Sequence, residues 1–211
     1  MEEIFTKIYN ENYWGDVDSI SGAGSNLYQT KIIINSLPNI LKQYKISTIL
    51  DIPCGDFYWM NKVNLNGINY IGADIVGELV ELNIKNYKSN NISFKKLNLV
   101  EDSLQKVDLI FCRDCLVHFS FENIYKSIIN ICNSQSKYFM TTTFTEREKN
   151  VDIETGQWRP LNFRKSPFYF PNPIQIINEE CTENDNIYCD KSLGLWNIND
   201  IQLLNYNLHE R

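Results

Sequence analysis

Apolar residues along the chain fall into short runs, and the spacing within the runs alternates between two periods. The runs at 48–52, 70–74, 92–97, 107–112 and 137–143 are short, nearly continuous and rich in β-branched and aromatic residues, which predicts strands. Between them, 77–87 and 121–133 carry apolar positions three and four apart, which predicts helices. Ser120 stands before the second as an N-cap, with Glu122 at the positive helix end. Strands apolar along their whole length, alternating with helices, predict a mostly parallel sheet covered on both faces. The fold class is α/β.

Ahead of the first strand, 26–35 and 37–44 read as helix, interrupted at Pro38, which suits a first helical turn. Before them, YWGDVDSISGAGSN (13–26) is a loop rich in Gly and Ser, anchored by Trp14. After the fifth strand, 145–173 shows no helical period and holds four of the six prolines. So long a connection without structure of its own in a compact chain marks either a functional element or a misassigned one. The segments 174–179 and 192–196 then form a C-terminal antiparallel pair. No repeat or linker divides residues 1–211, which read as one domain.

Composition narrows the picture. At 43% hydrophobic and 22% charged, the chain is that of an ordinary globular protein. No apolar run approaches the ~20 residues of a membrane span. The N-terminal MEEIFTKIYNENYW has acids where a signal peptide needs a basic start, so a cytoplasmic location with no membrane partner is expected. A net charge of −6, from 20 basic and 26 acidic residues, argues against a sequence-independent grip on nucleic acid. An anionic small molecule stays compatible where cations are local. Cys112 and Cys115 form one C-x-x-C, but Cys181 and Cys189 lack the spacing of a zinc ribbon, so these thiols read as buried or site-lining, with no metal.

The candidate chemistry gathers where strands end. TILDIPCGDFYWM (48–60) runs from a strand into a turn with Asp51 at the strand end. A pyrophosphate loop needs several glycines, whereas this one sets Pro53, Cys54, Asp56 and Phe57 around Gly55. Asp56 would repel a phosphate, and a cationic or zwitterionic ligand fits better. Asp74 closes YIGAD at the end of the second strand, where an acid accepts hydrogen bonds from ribose hydroxyls. Asn98 follows the third strand, and Arg113, Asp114 and His118 follow the fourth. Four consecutive strand ends thus offer polar groups to one crevice.

At these residues the chain resembles the class I S-adenosylmethionine-dependent methyltransferases, over about residues 28–144. ILDIPCGDF stands where they carry an acid-x-Gly-x-Gly-x-Gly loop, YIGADI holds the ribose-binding acid, and VDLIFCRDCLVHF matches their fourth motif. Pro53 and Phe57 replace the first and third glycines. With SGAGS, CRDCLVHFS and TGQWRPLNF, the wider pattern resembles a bacterial subfamily associated with surface glycans, and within it methyltransferases of capsular phosphoramidate. The resemblance implies a Rossmann-like methyltransferase domain and S-adenosylmethionine as cofactor. It implies that Asp51, Pro53, Cys54 and Gly55 cradle the methionine end and that Asp74 and Ile75 hold the ribose. Asn98 and Leu99 would border the adenine, and Arg113 and Cys115 the wall near the sulfonium. Trp14, Ser21 and Ser25, within an N-terminal segment 1–26, would form a lid.

His118 is the candidate base, its unperturbed pKa lying near neutrality, or else a structural cap for the following helix. Asp114 is the second candidate base, or else the partner of Arg113 or Arg147. Arg159, Arg164 and Lys165 lie in an acid-free stretch and read either as an acceptor site for a phosphoryl or phosphoramidate group of a glycan precursor, or as solvated cations. The first reading makes 145–173 an acceptor-binding insertion. Trp158 and Trp196 read as core before platform, and Trp59 as packing between helix and sheet. A sugar hydroxyl is the alternative acceptor. An NAD-type oxidoreductase and a non-catalytic nucleotide-binding module are the rival functions.

Overall fold

The computed structural model describes residues 1–201; residues 202–211, the end of the expected domain, lie outside the described residues. Helices α1 (Glu2–Asn10) and α2 (Leu27–Gln43) precede β1 (Thr48–Asp51) and β2 (Asn69–Asp74). Helix α3 (Gly77–Tyr87), β3 (Ile92–Lys96), β4 (Leu109–Cys112), α4 (Phe121–Asn133) and β5 (Tyr138–Phe144) follow, and the chain closes with β6 (Gln175–Asn178) and β7 (Lys191–Asn197). The strands form one sheet in the order β3, β2, β1, β4, β5, β7, β6, parallel except for β7, which runs antiparallel to both neighbours.

The central strands are buried residue after residue, as their continuous apolar runs require. Helices α3 and α4 fall where their periodicity put them. Ser120 Oγ accepts from Asn123 N–H as the N-cap of α4. On one face of the sheet, α2 packs Ile33, Leu37 and Ile40 against Ile49 and Leu109. On the other, α4 packs Ile124, Ile128 and Ile131 against Leu50 and Ile110.

Three expectations change. The break at Pro38 is absent: one helix runs through it, capped by Asn26, whose Oδ1 accepts from Gln29 N–H at 2.9 Å. Proline lacks an N–H for the previous turn, and the buried face to either side of it holds the helix together. The residues ahead of the Gly- and Ser-rich loop, for which no element was expected, form α1, whose apolar positions Phe5 and Ile8 face the cavity described below. The connection 145–173 has no helix, as expected, yet part of it enters the core: Leu161 and Phe163 are fully buried, and Phe163 packs with Phe168, Phe170 and Trp196. Among the described residues no helix is long and apolar enough to cross a membrane.

Candidate active site

The strand order reverses between β1 and β4, and loops leaving the carboxyl ends of strands on either side of that point diverge to open a crevice. A cavity of about 420 Å³ lies there, within the range of small-molecule and cofactor sites.

Its floor is the loop after β1. Cys54 N–H donates to Ala73 O at 2.8 Å, which turns the chain across β2. Gly55 then adopts φ +54°, and a Cβ there would lie 2.4 Å from Ser21 Oγ. Only glycine lets the N-terminal segment approach this closely. Gly55 N–H donates to Asp74 Oδ2 at 3.1 Å and Val76 N–H to Asp74 Oδ1 at 3.0 Å, so the acid at the end of β2 is fixed by backbone. Burial raises its pKa to about 6 despite these bonds. Asp51 is 2% exposed and accepts from the Tyr70 hydroxyl; burial raises its pKa to about 8. Burial also pushes the Cys54 and Cys115 thiols, both lining the cavity, well above their ordinary range.

Residues 19–25 lie over this floor and are clasped from two sides. Asp56 Oδ2 accepts from Ser19 Oγ at 2.8 Å and Ile20 N–H at 3.1 Å, while Asp56 N–H donates to Ser21 Oγ at 3.1 Å. From the opposite bank, Arg113 Nη2 donates to Gly24 O at 2.8 Å. Ser21, Ser25 and Trp14 all line the cavity.

The wall beyond β4 is ionic. Arg113 reaches Glu179 Oε2 at 2.7 Å and Asp114 Oδ2 at 3.2 Å, and Lys191 Nζ reaches the same Asp114 oxygen at 2.7 Å. Asp114 has φ +50°, held by its N–H donating to Thr142 Oγ1 at 2.8 Å. Burial opposes its charge, yet Arg113 and Lys191 together hold its carboxyl well below the usual carboxylate range. It is thus an ion-pair partner of Arg113, with Lys191 as the second cation rather than Arg147. Lys191 and Glu179 were missed in the sequence because only the pairing of β7 with β5 and β6 brings them here.

His118 ends a short 3-10 turn (Leu116–His118), is 9% exposed and stacks on Trp14, with ring centroids 4.2 Å apart. Its Nδ1 lies 2.9 Å from Gln157 O. A carbonyl only accepts, so Nδ1 carries the proton and Nε2 keeps its lone pair. Burial lowers its pKa to about 4, which leaves the ring neutral at physiological pH.

Other sequence-predicted residues divide. Ile75 and Leu99 line the cavity with Pro53. Asn98 does not; its Nδ2 donates to Glu101 and its Oδ1 accepts from Val100 N–H. Arg159, Arg164 and Lys165 are not brought to the cavity. Arg159 is 6% exposed and spends its guanidinium on Leu116 O at 2.9 Å, Phe119 O at 2.6 Å and Val151 O at 3.2 Å. Arg164 is exposed, and Lys165 pairs with Glu148 at 2.8 Å. Trp196 is core, but Trp158, read as core, is 41% exposed and lines the cavity. Trp59 packs as expected and also lines the cavity, under the Arg113 guanidinium.

The lining carries Asp51, Asp56, Asp74, Asp114 and Glu183 against Arg113 and Lys191, both already paired. Acids in excess beside the Trp14 and Trp59 rings suit a cationic ligand.

No family model matches the chain, and no curated protein matches it. Solved structures do. Human N-acetylserotonin methyltransferase in complex with SAM superposes with a TM-score of 0.63 at 12% identity, over 92% of this chain and 58% of that one. The methyltransferase domain of bacterial CtHen1-CN gives 0.57 at 11% identity, over 82% and 100%. Magnesium protoporphyrin IX methyltransferase from Synechocystis PCC 6803 with bound SAH gives 0.50 at 15% identity, over 69% and 73%. The chain thus spans less than two thirds of the length of the first of these, at 58%. Sheet order, the antiparallel β7 and the crevice at the switch point together give this chain the fold of these solved methyltransferases.

Proposed function

We propose that the protein is a small-molecule O-methyltransferase that uses S-adenosylmethionine. The observation that carries this reading is Asp74, a carboxylate pinned by the N–H groups of Gly55 and Val76 at the lip of an acidic crevice. A carboxylate so placed accepts from the two hydroxyls of a ribose. Asp51, Pro53, Cys54 and Gly55 border the methionine end, Ile75 and Leu99 the nucleoside, and Arg113 and Cys115 the wall near sulfur. Trp14, Ser21 and Ser25 belong to the lid.

When bound, the cofactor supplies a methyl group made electrophilic by a positive sulfur. Neutral His118 is the base. Its Nε2 would take the proton of an acceptor hydroxyl, whose oxygen would then be free to receive the methyl group that the bound cofactor would supply. Alignment is the larger contribution. The paired charges of Arg113, Asp114, Glu179 and Lys191 hold the wall and the Gly24 carbonyl in register.

We read the acceptor as a hydroxyl. A phosphoryl or phosphoramidate acceptor rested on Arg159, Arg164 and Lys165, and those cations are committed elsewhere or face solvent. A sugar hydroxyl of a glycan precursor keeps the substrate class that the resemblance implies and needs no free cation.

Calorimetry with S-adenosylhomocysteine and NAD tests the cofactor. The former should bind and the latter should not. Asp74→Ala should weaken binding at least about tenfold, since each hydrogen bond to a charged acceptor is worth ~1.5–3 kcal/mol. Unchanged affinity in that variant refutes the placement. Binding with no methyl gain on any acceptor favours a non-catalytic module.

A further inference from the structure

We infer that Trp158 and Tyr188 form a stacking platform for a neutral ring, one of whose hydroxyls faces His118. The inference rests on the methyltransferase reading and names the class of its acceptor.

Trp158 and Tyr188 line the cavity with their ring centroids 4.9 Å apart, and both pack edge-on against the buried Phe144. Trp158 is 41% exposed although it lies at the cavity, which leaves part of the residue open to a ligand. Among the described residues its indole N–H, the Tyr188 hydroxyl and His118 Nε2 make no hydrogen bond within the protein. Rings with open faces and unspent polar tips suit a ligand that is apolar on its face and polar at its rim.

The platform is bolted to the base. Gly156 N–H donates to His118 O at 2.8 Å, His118 Nδ1–H donates to Gln157 O at 2.9 Å, and Arg159 N–H donates to Val117 O at 3.1 Å. The Arg159 guanidinium adds the bonds to Leu116 O and Phe119 O. Trp158 lies between these ties, so a ring resting on it sits at a fixed distance from the histidine. That geometry is what positioning requires. Arg159 is then a positioning residue. The Arg147 guanidinium lies over the Tyr188 ring, 5.6 Å from its centroid.

Charge selects against anions here. The cations at the wall, Arg113 and Lys191, are already matched by Asp114 and Glu179, and Glu183 adds a further carboxylate to the lining. Two ring types share the required chemistry, the apolar face of a sugar and the plane of a phenol.

The test is ligand-observed NMR on the full chain saturated with S-adenosylhomocysteine. The probes are methyl glycosides of common hexoses and 6-deoxyhexoses, simple phenols, and glucose 1-phosphate. Saturation transfer to a methyl glycoside or a phenol that falls about tenfold in Trp158→Ala, and partly returns in Trp158→Phe, supports the platform. Which of the two responds identifies the source. Transfer only to glucose 1-phosphate, or transfer to any probe that is indifferent to Trp158→Ala, overturns it. So does no transfer from any probe. Calorimetry with S-adenosylhomocysteine on the same samples separates the two readings. If the product binds normally and the platform fails, the acceptor class alone is wrong; if it does not bind, the methyltransferase reading falls first.

Discussion

Replacing Asp51 by asparagine should stabilise the ligand-free protein, and the gain should depend on pH. Asp51 is 2% exposed, and burial raises its pKa from 3.8 to about 8. Between those values the folded chain keeps a proton that the unfolded chain releases. Stability from this group is therefore fully present below the unfolded pKa and is lost as pH rises toward the folded one. From 3.8 to pH 7 is about three pH steps at about 1.4 kcal/mol each, an upper limit of about 4 kcal/mol. Asparagine keeps the size and still accepts from the Tyr70 hydroxyl through its amide oxygen, but it carries no titratable proton. Realising half the limit, about 2 kcal/mol, raises the melting temperature by about 4–8 °C at this chain length. Scanning calorimetry of wild type and Asp51→Asn from pH 4 to pH 8 reads the effect. The two should melt together near pH 4 and separate steadily above it. Asp74, raised by burial to about 6, adds a similar slope, and His118, lowered to about 4, an opposite one. Both are shared by the two proteins and cancel in the difference. Parallel curves across the range would show that Asp51 is ionised in the folded state and would remove burial as the dominant influence on it.

Gly55→Ala should cost about 1–2 kcal/mol from its left-handed backbone and unseat Ser21, weakening S-adenosylhomocysteine as well; an unchanged melting point and affinity would contradict the close approach. The acid limb of kcat/KM should fall near pH 4 rather than near the ordinary histidine value, and His118→Ala should lower the rate ~10²–10⁴-fold; a limb at ~6.5 would mean that His118 is not buried as described. Arg159→Ala should destabilise by about 1–3 kcal/mol in urea titration, since it leaves the Phe119 carbonyl unpaired and the Leu116 carbonyl with the Phe119 N–H alone. A stable Arg159→Ala with a raised acceptor KM would restore Arg159 to the acceptor site.

Much of the sheet could be read from the sequence because each buried strand is an unbroken apolar run, and helices α3 and α4 because their periodicity is regular. Asp51 and Asp74 were legible for a related reason: an acid ending such a run has to lie at the sheet's edge. Helix α1 escaped notice because it is short and buries no residue completely, although Ile4, Phe5 and Ile8 after two acids mark an amphipathic start. Lys191 and Glu179 could not be found from spacing. Glu179 meets Arg113 across 66 residues, and the only local sign of Lys191 is a cation at the head of an apolar strand. Arg159 was misread because a charge count cannot tell a solvated guanidinium from one serving three backbone carbonyls. Trp158 was misread for the converse reason, since an indole at a cavity and an indole in a core look alike in sequence.

The reversed direction of β7 has a consequence for how such a site can diversify. Because β7 runs against its neighbours, β6 ends and β7 begins at the same sheet edge as the crevice. The turn between them, residues 179–190, therefore overhangs the cavity, and Glu183 and Tyr188 reach the lining from it. Its two ends are gripped by paired strands, so the turn behaves as an exchangeable cassette on a fixed frame. Lengthening a loop costs little, about 0.6 kcal/mol for each doubling. New residues can thus be inserted between Glu179 and Asp190 without re-registering the sheet, so selectivity for one partner molecule over another can drift there while the opposite bank of the crevice, built from the β1 and β2 loops, stays constant.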